Sequence, residues 1–83
     1  MDEKLEKAVV KILGEKRFAL LKYLCAHCDE NGFIGVKIAT LEENLRQSKP
    51  TLIASLKFFE EKKILSKLKN SFYQLNLNHK GRQ

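Results

Sequence analysis

The chain predicts a mainly α fold closed by a small antiparallel sheet, and three observations in its 83 residues carry that prediction. Apolar residues recur at helical spacing in several segments before residue 63. After Lys63 the period drops to two residues, the signature of strands with one buried face. Between the helical segments, Phe33-Ile34-Gly35-Val36 is a short apolar run of strand type, bounded by glycine and lysine.

Residues 3–13, EKLEKAVVKIL, fit an amphipathic helix with Leu5, Ala8, Val9 and Ile12 on one stripe, ended by a break at Gly14. So narrow a stripe covers one edge of the domain or meets its own copy, which makes Leu5, Val9 and Ile12 candidate homodimer contacts. Residues 15–28, EKRFALLKYLCAHC, form the clearest helix. Phe18, Leu21, Leu24, Cys25 and Cys28 fall on its apolar face, with Tyr23 and His27 toward solvent. Asp29-Glu30-Asn31-Gly32 ends it, with a left-handed residue at Asn31 or Gly32.

The stretch from Leu41 to Leu65 organises the rest. Thr40 and Glu43 match a capping box. Leu41 and Leu45 form the inward edge of a short helix, and Leu52, Leu56 and Phe59 that of a longer one over residues 49–63. Ser48 is a good N-cap, and Pro50 sits in the first turn, where a missing N–H costs little. Two helices joined by so short a turn make a helix-turn-helix, whose second helix is the one offered to a major groove. Beyond it, ILSKLK and FYQLNLN flank Asn70-Ser71 as a hairpin with Tyr73, Leu75 and Leu77 on its buried face. Such a hairpin is not stable alone, so it leans on the helices and pairs with Phe33–Val36. Residues 79–83, HKGRQ, have no apolar anchor and are expected to be a flexible basic tail.

Composition narrows the function. A chain this short makes one domain and leaves no room for a large internal cavity. The net charge is +6, and its placement is one-sided. Residues 1–45 carry seven Lys/Arg against eight Asp/Glu, and residues 46–83 carry nine against two, so the balances are −1 and +7. A one-sided basic field attracts polyanions. No apolar run approaches the ~18 residues that span a bilayer, and the charged N-terminus lacks a signal-peptide core, so a cytoplasmic protein is expected.

The order helix, helix, strand, helix, helix, hairpin, with SKPTLIASLKFFEEKKIL running into a basic ribbon, resembles the winged helix-turn-helix DNA-binding superfamily over about residues 15–78. Residues 1–14 would then be an added N-terminal helix on a three-helix core with a β-hairpin wing. Such domains often end the second helix with a Leu-Glu-Glu-Lys-Gly-Leu-Ile-type run, which Phe59-Glu60-Glu61-Lys62-Lys63-Ile64-Leu65 resembles. LGEKRFALLKYL is similar to a helix of MarR-like repressors, and Ser71-Phe72-Tyr73-Gln74-Leu75-Asn76 to the winged helix of plasmid replication initiators. The resemblance implies double-stranded DNA as partner. It also implies a role in transcription regulation or in plasmid- or phage-type replication, with helix 49–63 in the major groove and wing 66–74 on flanking DNA.

On this reading Ser48, Lys49, Pro50, Thr51, Ala54, Ser55 and Lys57 line the groove-facing side of the helix, and Lys67, Lys69 and Asn70 form the wing contact. Lysines suit phosphates or guanine edges, and small apolar groups suit thymine methyls. The rival reading is a protein–protein interaction module using the outward Ile53, Ala54 and Phe58, with Phe58 as an aromatic anchor. Cys25-Ala26-His27-Cys28 supplies too few ligands for a zinc site, so no metal is expected. With two distant histidines and no glycine-rich phosphate loop, neither an enzyme nor a cofactor or small-molecule site is expected.

Overall fold

The computed structural model describes residues 3–76. It is mainly helical, in the order α1 (Glu3–Leu13), α2 (Glu15–His27), β1 (Phe33–Gly35), α3 (Ile38–Leu45), α4 (Lys49–Glu61), β2 (Leu65–Lys69) and β3 (Phe72–Leu75). The strands make one antiparallel sheet in the order β1-β3-β2, so the hairpin pairs with the Phe33 segment. Leu77, Asn78 and the tail 79–83 lie outside the described residues. No helix among the described residues is long and apolar enough to cross a membrane.

The alternation of the strands sets the core. Ile34 stands opposite Tyr73, and Leu65 opposite Leu75, so these four side chains share one face of the sheet. All four are buried, and they join Leu20, Leu24, Leu41, Leu52, Leu56 and Phe59 in one cluster. Three backbone bonds extend the ribbon's pairing, and one of them reaches α4. Asn76 donates to Ile64 O (2.7 Å), Ile64 to Phe59 O (2.9 Å) and Val36 to Ser71 O (2.8 Å).

Helix ends follow local chemistry, with differences from the pattern-based reading. Asp29 organises the loop after α2, because its Oδ1 accepts the N–H groups of Asn31 (2.8 Å) and Phe33 (2.9 Å). Gly32 takes the left-handed conformation at φ 87°, and a Cβ there would come within 2.5 Å of Leu75 O. The Thr40–Glu43 capping box does not form. Chain pairing holds Val36, α3 starts two residues later at Ile38, and Lys37 is its N-cap, so Thr40 is already helical.

The apolar face of α2 is also shifted. Phe18, Leu20 and Leu24 are buried, Leu21 is half-buried, and Cys25 is exposed. The reason is that α2 has neighbours on two sides. Leu20 and Leu24 face the main core, whereas Phe18 is buried outside it, one turn from Lys22, whose Nζ lies 3.9 Å from Glu6 Oε1 of α1. By contrast α1 buries none of its residues, and Leu5 and Ile12 stay 55% and 81% exposed.

Candidate nucleic-acid interface

The turn between α3 and α4 is built by three side chains and one left-handed residue. Arg46 (φ 55°) ends α3, its N–H donating to Glu42 O at 2.9 Å. Gln47 is buried, and its Nε2 donates to Lys16 O at 3.1 Å, which clamps the turn onto the first residues of α2. The Gln47 Oε1 is buried without a partner. Ser48 then caps α4 as expected. Its Oγ accepts the Thr51 N–H at 3.4 Å and donates to Thr51 Oγ1 at 2.9 Å. That cap has a consequence for anion binding. Pro50 has no N–H and the Thr51 amide is taken, so only the Ser48 and Lys49 amides are left to face a phosphate.

At about 100° per residue, the exposed positions of α4 fall on one arc. They are Lys49, Pro50, Ile53, Ala54, Lys57 and Glu61, with Ile53 and Lys57 near the centre and Ile53 37% exposed. Thr51 is half-buried at the edge. Ser55 is a correction to the sequence reading. It lies three residues after Leu52 and four before Phe59, on the inward arc, and is only 3% exposed. Its polarity suggested the surface, but its angular position decides.

Phe58 is the second correction. It is half-buried against the core cluster, the Arg17 guanidinium carbon lies 4.0 Å from its ring centroid, and Lys62 Nζ lies 5.7 Å away. A ring covered in this way stabilises the α2–α4 contact through cation–π attraction and is turned toward Arg17 rather than out to solvent.

The hairpin places Lys67, Lys69 and Asn70 on the surface, as expected, with Ser71 left-handed at φ 62°. It also exposes Leu68 to 46%, on the face opposite the buried Leu65. β2 packs on α4, so the ribbon stands beside the helix. Among the described residues the one ion pair is Lys22–Glu6, so Lys49, Lys57, Lys67 and Lys69 all keep unneutralised ammonium groups.

An open cleft of about 560 Å³ lies where the α1–α2 corner meets α4, lined by Leu13, Gly14, Glu15, Lys16, Arg17, Thr51, Ala54 and Ser55. It brings Lys16 and Arg17, which sequence reasoning passed over, to the edge of the α4 arc. Local spacing gave no signal for this, because the two segments are more than thirty residues apart.

The Cys25–Cys28 segment is occupied by structural contacts. The Cys28 thiol donates to Cys25 O at 3.5 Å. His27 stacks on Tyr23, with centroids 4.0 Å apart, and its Nδ1 reaches Tyr23 O at 2.9 Å, so that nitrogen carries the proton in this contact. Desolvation and then the Cys28 thiol push the Cys25 thiol up, which keeps it protonated near neutral pH. Burial, followed by the Glu60 carboxylate, likewise raises Tyr73. Among the described residues no group of three or more His, Cys, Asp or Glu side chains is placed to hold a metal ion.

No protein-family model, curated protein or solved structure matches the chain.

Proposed function

We propose that this chain is a winged helix that binds double-stranded DNA, with α4 in the major groove and the β2–β3 ribbon as a wing on flanking DNA. It would act by occupying its site, as a transcriptional regulator or a plasmid- or phage-type replication factor. The observation that carries the reading is the set of four exposed lysines with no carboxylate partner among the described residues: Lys49 and Lys57 on one arc of α4, and Lys67 and Lys69 on the ribbon packed against it. The element order supports the fold. So does Lys63, which is left-handed (φ 62°) at the position where the resembled run has glycine. With Ile53 near the centre of the arc and Ala54 at its edge, few side chains are left to read bases, so charge supplies most of the affinity.

Neutralising about five phosphates gives a log–log salt slope of roughly −4 to −5. Fluorescence anisotropy on a random duplex over a salt series tests this. Lys49→Ala/Lys57→Ala and Lys67→Ala/Lys69→Ala should each reduce the slope by about 2. A wild-type slope near zero, or variants that bind as wild type does, overturns the reading. One observation favours a protein–protein interaction module instead: the exposure of Ile53 beside Ala54 on the same arc. Weak duplex binding that neither lysine pair changes would support that alternative. The same samples, weighed by sedimentation, report whether copies pair, as the exposed Leu5 and Ile12 of α1 would allow.

A further inference from the structure

The register of the wing contains a feature that the lysines do not explain. Lys67 pairs with Tyr73 and Lys69 with Phe72, which leaves Leu68 unpaired in a bulge between them. In an uninterrupted ladder Leu68 itself would stand opposite Phe72. Its side chain would then lie beside the ring that stacks on Phe33 with centroids 5.8 Å apart. The bulge gives that register position to Lys69, and the leucine is 46% exposed between two exposed lysines and two residues from the exposed Asn70. A bulge can re-aim a side chain, and this one sets an apolar group, half in solvent, between two ammonium groups near the hairpin turn.

Resting on the DNA-binding reading above, we infer that Leu68 is a wedge that enters the minor groove of a duplex and opens a base step. Lys67 and Lys69 would hold the phosphates on either side. Apolar wedges of this kind partly unstack a step and kink the duplex toward the major groove, by about 20–90°. Pyrimidine–purine steps unstack most easily, so the wedge selects TA or CA steps with no hydrogen bond to a base.

The test is energy transfer between dyes at the two ends of a duplex of about 20 base pairs with one central TA step, read together with anisotropy. Wild-type protein should shorten the end-to-end distance on binding. Leu68→Ala should lose the shortening while keeping the wild-type salt slope, because no charge is removed. Leu68→Met should restore it, and circular dichroism confirms that each variant is folded. Binding by wild type without shortening, or shortening that survives in Leu68→Ala, overturns the wedge and leaves the DNA-binding reading standing. Absence of salt-dependent binding by wild type overturns both. If Leu68→Ala changes only the sedimentation of the protein, the leucine is a self-contact and the wedge is overturned.

Discussion

Helices α1 and α4 make an instructive pair. α1 has the cleaner two-sided sequence, with Leu5, Ala8, Val9 and Ile12 on one stripe among seven other residues, yet none of its eleven residues is buried. α4 mixes lysine, serine, threonine and glutamate into its turns, yet it buries Leu52, Ser55, Leu56 and Phe59 and stands at the centre of the core. Periodicity tells which side of a helix is apolar. It does not tell whether anything covers that side, because coverage depends on how many neighbours the topology brings. α4 meets α2, α3 and β2, whereas α1 docks chiefly on one side of α2.

The contrast can be broken or sharpened by substitution, with thermal or urea unfolding as the readout. Phe59→Ala should have the largest effect, about 3–5 kcal/mol, because it opens a cavity in the fully buried centre of the cluster. A loss below about 1 kcal/mol would mean that α4 is not the core element. Gly32→Ala comes next, at about 2–4 kcal/mol, since it combines a left-handed backbone with a 2.5 Å approach to Leu75 O.

Gly14→Ala separates the two regions. Gly14 has φ 94° and ψ 150°, a conformation open almost only to glycine, but nothing lies within 4 Å of the added carbon. The strain can be relieved by shifting the lightly held α1, so the global loss should stay under about 1 kcal/mol. Hydrogen exchange should rise in residues 3–13 alone, and a loss equal to that of Gly32→Ala would show that α1 belongs to the core. Ile12→Ser should have the smallest effect, within about 0.5 kcal/mol, because the side chain is already in water. A larger cost would reveal a partner on that stripe.

Much of the fold was legible in the sequence. The Leu41, Leu52, Leu56 and Phe59 spacing, the Ser48 cap and the hairpin on Phe33–Val36 follow from local rules, and each is present. Two misreadings were avoidable. Ser55 sits on the inward arc by angle alone, and Leu20–Leu24 is an i, i+4 pair as good as the one through Leu21. The others were not legible. The Arg17–Phe58 stack, the Gln47 clamp on Lys16 and the α1–α2 cleft join segments distant in sequence. The Leu68 bulge is a matter of register, which alternating residues do not encode.

Lys63 carries a consequence of its own. Its N–H closes the end of α4 on Glu60 O at 3.0 Å while its backbone is left-handed, a conformation costing an L-residue roughly 1–2 kcal/mol that glycine escapes. Anyone engineering a more heat-resistant version would reach first for Lys63→Gly, and that change would also remove one positive charge from the end of α4. Rigidity and positive charge therefore trade against each other at a single joint, and under the proposed DNA-binding role a sturdier variant would hold its duplex less firmly.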